Sequence, residues 1–177
     1  MFYRELSILE SEDVSVPVVA NYIMRQMHSF IANGRQVFAS FPRIHEKGLG
    51  DIIRLHGSAD DLQAWDHSLL TSFASLSPVL SVPAGHDMRV FRRYRPRGKA
   101  HYRRALKKVL RDRPDDSKAI RDLTEKMERG AQCDLPYFIV KSTSTGEKFS
   151  LFVQEVSFEN ASDDALCYGL GMPVPVF

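Results

Sequence analysis

Histidine is the side chain whose ordinary titration falls between pH 5 and 8, so proton-transfer chemistry is sought there first. The sequence holds six: His28, His45, His56, His67, His86 and His101. None stands in an H-E-x-x-H or related spacing, so no metal site is expected. Paired acidic residues fall mostly where helices begin, as caps, and no phosphate-cradling glycine loop of the NTPase type is present. No cofactor is expected either. Hydroxyl donors gather in one place, at Ser142, Thr143, Ser144 and Thr145. If the substrate is RNA, an imidazole with such donors suits a metal-free route. A base removes the proton of a 2′-hydroxyl, which attacks the adjacent phosphate and expels the 5′-oxygen. On spacing alone His28 has only a mild advantage, because it faces away from the apolar stripe of its helix. By the same measure the four hydroxyls suit ordinary turn and strand roles, while Tyr168 and Phe149 suit packed aromatics.

A substrate class is suggested by charge. The formal net charge is only +2, from 24 basic and 22 acidic residues. Between Asp87 and Arg113, however, lie 12 of those basic residues against Asp87 and Asp112 alone. They are Arg89, Arg92, Arg93, Arg95, Arg97, Lys99, Arg103, Arg104, Lys107, Lys108, Arg111 and Arg113. A basic block on an otherwise acidic body is the footprint of a polyanion binder. From Lys99 to Arg111 the period is helical: Tyr102, Leu106, Val109 and Leu110 share one face. Arg103, Arg104, Lys107, Lys108 and Arg111 recur on the other. One face docks and the other offers a row of cations to phosphates.

These residues need elements to hold them. Phe2 to Leu9 alternates as a half-buried strand, and Pro17 opens a helix to about Ala32, stopped by Asn33-Gly34. Its apolar stripe is Val19, Tyr22, Ile23, Met27, Phe30 and Ile31, and His28 lies on the face shared with Asn21 and Arg25. Strands are expected at Gln36 to Phe41 and Asp51 to His56, with a helix capped by Ser58 running to about Phe73. A short strand near Val79 to Val82 completes the series. This order is the split βαβ arrangement of ferredoxin-like, RRM-like domains. Residues 1–85 are therefore expected to form a ferredoxin-like βαββαβ domain. Residues 86–177 follow as an α+β domain with the basic helix, a mixed-charge helix Asp116 to Arg129, and strands Tyr137 to Ser142 and Lys148 to Val156 joined as a hairpin. The fold class is α+β. With 44% hydrophobic residues, no run of 18 apolar residues and an N-terminus unlike a signal peptide, the chain reads as cytoplasmic, with no membrane partner. Cys133 and Cys167 predict neither a zinc site nor a disulfide framework.

Several segments, in order, resemble one family. They are SFPRI at Ser40 to Ile44, GLGDIIRLHGSADDL at Gly48 to Leu62, DLPYFIVKSTSTGEKFSLFV at Asp134 to Val153, and CYGL at Cys167 to Leu170 with a following Val-Pro and a final Phe. With a histidine-bearing helix near residue 28, they resemble the CRISPR repeat-processing endoribonucleases of type I-F systems. The resemblance implies an arginine-rich helix laid along the groove of the repeat stem-loop. It also implies metal-independent cleavage at the 3′ base of the stem, leaving a 2′,3′-cyclic phosphate and a 5′-hydroxyl. The enzyme then stays on the mature crRNA with other subunits of a surveillance complex, and is expected to be a monomer when free. By position it implies His28, Ser142 and Tyr168 as catalytic residues, Ser144 and Thr145 as phosphate contacts, and Phe149 stacked on the terminal base pair.

The chain departs from the family pattern before the basic helix, where an arginine and a glutamine read base edges. Here the stretch is FRRYRPRG: Arg92 or Arg93 serves as the arginine and no glutamine is available. Lys107 and Lys108 replace arginines, and lysine lacks the bidentate fork that suits guanine or phosphate. A non-catalytic subunit capping the RNA hairpin would use the same basic helix, as would a duplex DNA binder. The joint presence of His28, Ser142 and Tyr168 favours the enzyme.

Overall fold

Seven residues near the N-terminus, Phe2–Ile8 (β1), form the strand around which the first sheet is built, with Leu6 and Ile8 turned into the core. A 17-residue helix, Val16–Ala32 (α1), follows, and then strands Val37–Ser40 (β2) and Ile52–Gly57 (β3). Next come a short helix, Ala59–Ala64 (α2), and two short strands, Ala74–Leu76 (β4) and Leu80–Ser81 (β5). The order across the sheet is β2-β3-β1-β4, every pairing antiparallel, with β5 also paired to β1. The computed structural model describes residues 1–46, 48–130, 133–141, 146–160 and 168–177.

Two sequence expectations in this half are corrected. The helix expected from Ser58 to Phe73 stops at Ala64, because Trp65 turns extended (ψ 114°) and buries its indole. Asp66 then accepts from the Ser68 amide and starts a separate 3-10 turn, Ser68–Leu70. The strand expected at Val79 to Val82 is only Leu80–Ser81, and most of that edge is β4, from Ala74–Leu76, which lie between the expected helix and the expected strand. Pro78 offers no amide to a ladder. Ser77 bridges the gap, its hydroxyl accepting from the Glu5 amide at 2.9 Å.

A second antiparallel sheet, ordered β7-β8-β6-β9, is made from Asp87–Tyr94 (β6), Tyr137–Lys141 (β7), Lys148–Ser157 (β8) and Pro173–Val176 (β9). The basic stretch read as a linker before the helix is thus, over its first eight residues, an inner strand. Val90 and Phe91 are buried there. Pro173 and Pro175 sit in β9, an edge strand, where a missing amide is tolerated. The two sheets and α1 share one core: Phe41 meets Phe91 edge-on at 5.4 Å between ring centres and Phe138 at 5.5 Å.

Residues 1–94 and 135–177 form one compact unit, and Arg95–Asp134 another. The second is a helical hairpin of Lys99–Asp112 (α3) and Ser117–Arg129 (α4), turned at Pro114 and capped by Asp116, which accepts from the Ala119 amide at 3.0 Å. Val109 is buried and Tyr102 and Leu106 are half-buried, as the period requires. Leu110, expected on that face, is half exposed. The α+β class is as expected. Among the described residues no helix is long and apolar enough to cross a membrane.

One buried titratable group lies inside the first sheet. His56 on β3 has no exposed surface, its Nε2 lies 2.8 Å from the Ser40 hydroxyl, and its Nδ1 has no partner. A bare acceptor costs less than a stranded N–H, which places the proton on Nε2, donating to Ser40. Burial, then the nearby Arg54 and His86, lower its pKa from 6.5 to about 3. The folded state therefore holds His56 neutral where the unfolded chain would protonate it. Its stabilising contribution is complete above pH 6.5 and is lost progressively as pH falls toward 3. The stability difference between wild type and His56→Leu, measured by urea unfolding, is expected to shrink by about 2 kcal/mol between pH 7 and pH 5. A constant difference would mean that His56 carries a proton in the folded state.

Candidate active site

α1 carries the proposed chemistry because its two faces differ. Val19, Ala20, Ile23, Met24 and Met27 are buried, and Asn33-Gly34 ends the helix, Gly34 taking a left-handed φ of 88°. His28 follows Met27 and so lies just off the buried stripe, half exposed at the margin of an open cavity. That position anchors the backbone while leaving the imidazole reachable.

The partner of His28 comes from the far end of the chain. Tyr168 stacks on it with ring centres 4.2 Å apart and planes 21° from parallel. Tyr168 is, among the described residues, the one non-glycine residue at positive φ, 58°, and is itself buried. A left-handed tyrosine costs about 1–2 kcal/mol and persists only where its surroundings dictate it. Here the Gly169 carbonyl accepts from the Ala39 amide at 2.8 Å, and the Gly171 amide donates to the Phe91 carbonyl at 2.8 Å. The tail is thereby hydrogen-bonded to β2 and to β6, and the strained tyrosine is aimed at α1.

The cavity beside this pair has a volume of about 730 Å³ and is lined by residues of α1, by Tyr168, and by Lys141 and Gly146. Ser142, Ser144 and Thr145 lie outside the described residues. The two residues that bound their segment, Lys141 and Gly146, both face the cavity that holds His28 and Tyr168. Sequence reasoning missed Tyr22, Gln26 and Lys141 as cavity residues. Tyr22 and Gln26 are four apart and share a helix face with each other, but their spacing from His28 gave no signal, and for Lys141 there was none.

Phe149, half-buried on β8, lies under the guanidinium of Arg93, 5.1 Å from the ring centre. Arg92 points elsewhere and donates from Nε and Nη2 to Gln154 Oε1 at 3.2 and 3.0 Å. Of the two arginines left open by the sequence, Arg93 is the one beside the aromatic and Arg92 is the one already engaged. In the unit Arg95–Asp134, Arg95, Arg97, Lys99, Arg103, Arg104, Lys107, Lys108 and Arg111 are all exposed. Arg111 pairs with Asp112 at 2.7 Å, and that hydrogen bond holds the Asp112 carboxyl below its ordinary range. Among the described residues Arg103 and Lys107 form no salt bridge, Lys108 acts on Asp112 only at a distance, and no three His, Cys, Asp or Glu side chains gather as metal ligands.

The family described as CRISPR-associated protein (Cas_Csy4) matches this chain over residues 3–177. A CRISPR-associated endonuclease Cas6/Csy4 of Escherichia coli (strain UTI89 / UPEC) is 29% identical over 177 residues, covering 95% of this chain and 94% of the relative. A second protein of that name, from Pseudomonas aeruginosa (strain UCBPP-PA14), is 28% identical over 147 residues, 77% of this chain and 76% of the relative. With a left-handed tyrosine stacked on the histidine of its first helix and a match over nearly its whole length, this chain belongs to the Cas_Csy4 family of CRISPR-associated proteins.

Proposed function

We propose that this protein is an endoribonuclease that binds the stem-loop of a CRISPR repeat, cuts the precursor RNA at the 3′ base of the hairpin, and stays on the product as a subunit of a crRNA-guided complex. The observation that carries the reading is the His28–Tyr168 stack at the wall of an open cavity, in a chain of this family. The 2′-oxygen of the nucleotide before the cut attacks the adjacent phosphorus while the P–O5′ bond breaks. The 2′-hydroxyl proton goes to a base and O5′ gains a proton, so the products are a 2′,3′-cyclic phosphate and a 5′-hydroxyl. His28 serves one of these two proton transfers. Tyr168 holds the imidazole plane, and Ser142 orients the 2′-hydroxyl. Ser144 and Thr145 hold phosphate oxygens, and no metal is needed.

Stem binding falls to the exposed basic residues of α3 and the arginines before it, with Phe149 and Arg93 as the stacking surface for the terminal base pair. A functional division at about residue 85 follows, with the histidine contributed from 1–85 and the RNA grip from 86–177. The strand order β2-β3-β1-β4, with α1 and α2 in the crossovers, supports a ferredoxin-like reading of the first part.

The test is incubation of the purified protein with the host's CRISPR repeat RNA in excess EDTA, followed by analysis of the new ends. One cut at the 3′ base of the stem, with a cyclic phosphate that acid opens, is the expected result. Tight binding with no cut would turn the reading to a hairpin-capping subunit, and a cut that needs added magnesium would overturn the mechanism.

A further inference from the structure

The cavity does not end at His28. It continues back along α1 past Arg25 to Tyr22, with Gln26, Ser29 and Ala32 on the same side. At 1.5 Å per residue, Arg25 lies about 4.5 Å and Tyr22 about 9 Å along the helix axis from His28. That is the reach of one further nucleotide, and nothing assigned so far uses it.

The lining of this arm is built for an anion with a flat group attached. Arg25 is exposed and, among the described residues, has no acidic partner. Lys141, at the end of β7, lines the same cavity and, among the described residues, likewise forms no salt bridge. It stands directly opposite Lys148 in the β7–β8 register, a like-charge cross-strand pair that costs stability unless an anion is met there. The Tyr22 hydroxyl accepts from Gln26 Nε2 at 2.7 Å, which fixes a half-buried ring on the helix face. A fixed aromatic ring beside cations is the recurring platform for a single-stranded nucleotide.

We propose that this arm is a subsite for the nucleotide immediately 3′ of the cut, with Arg25 and Lys141 on its backbone phosphates and Tyr22 against its base. The proposal rests on the reading of His28 as the cleavage residue. The direction follows from what remains: Phe149 and Arg93, the surface for the stem, do not line this cavity, so the arm beyond His28 is left for the departing strand. The subsite is filled in the substrate and empties with the 3′ fragment, so it aligns the scissile phosphate without contributing to retention of the hairpin product.

The experiment uses the host's repeat hairpin with a 2′-deoxy nucleotide at the cut, which removes the nucleophile. It is made with either no nucleotide or three nucleotides beyond that position. Wild type is expected to bind the extended RNA about tenfold more tightly than the truncated one, the worth of one stacked base. Arg25→Ala is expected to abolish that advantage, leave affinity for the truncated RNA unchanged, and lower the salt slope for the extended RNA by about 0.7. Tyr22→Leu is expected to lose the same advantage for a normal base but not for an abasic first nucleotide. Unchanged affinity for the truncated RNA also certifies that each variant is folded. Equal binding of both RNAs by wild type would overturn the subsite, as would an equal loss on both RNAs in Arg25→Ala. Cleavage of the all-ribose RNA, run alongside, separates the two claims. Cutting with equal binding removes the subsite alone, and no cutting removes the enzyme reading and the subsite with it.

Discussion

His28→Ala is expected to slow single-turnover cleavage of the repeat hairpin by about 10²- to 10⁴-fold while leaving hairpin affinity within about twofold. The size follows from the loss of a proton-transfer group, and the selectivity from the position of His28. It is the imidazole among the described residues lining the cavity, so no neighbouring histidine takes over. The substitution also leaves a gap where the imidazole had stacked on the Tyr168 ring, 4.2 Å between ring centres. Free imidazole in the buffer is therefore expected to restore part of the rate to His28→Ala and none to wild type. Cleavage at the wild-type rate by His28→Ala would remove this residue from the chemistry. A rate loss accompanied by an equal affinity loss would make it a binding residue instead.

The second large effect concerns the residue that aims Tyr168. Gly169 has φ 71°, and a methyl group added there would meet the Met27 methyl carbon at 2.6 Å, the Val37 carbonyl at 3.0 Å and the Ala39 amide at 3.3 Å. Two costs combine in Gly169→Ala: about 1–2 kcal/mol for a left-handed side chain, and crowding that must push the buried Met27 methyl aside and shift the β2 backbone by a few tenths of an ångström. The expected destabilisation is about 2–4 kcal/mol by urea unfolding, with cleavage lowered more than hairpin binding because Tyr168 is displaced. Gly34→Ala provides the comparison. It too has a positive φ, 88°, but its added methyl meets nothing within 4 Å, so only the backbone cost remains. Equal effects at the two glycines would mean that the tail is not packed against β2 as described.

The elements that follow simple periods were the ones legible in the sequence. α1 and α3 were found within a residue or two, because a Pro or Gly opening, an apolar stripe and a Gly or Pro stop all agree. β6 was invisible for a physical reason. Arg89, Arg92 and Arg93 are strand residues whose charges are met by Glu155, Gln154 and the ring of Phe149, partners no local window contains. The end of α2 was misplaced because the burial of Trp65 is decided by the core rather than by helix propensity. At the site, His28 was only mildly distinguished by its helical face. Its pairing with Tyr168, 140 positions later, follows from two glycine turns and the strands that hold them. The resemblance to a family named both residues, while the chain's own periodicity named neither as a pair.

The distance in sequence between those two rings also fixes an order of events during synthesis. The helical hairpin of α3 and α4 closes on contacts between near neighbours, the kind that form fastest and need no later part of the chain. The histidine and its aromatic partner meet only after β9 and the turn before it have left the ribosome and closed against β2 and β6. A nascent chain therefore presents the basic surface of α3 before the stacked pair of rings exists.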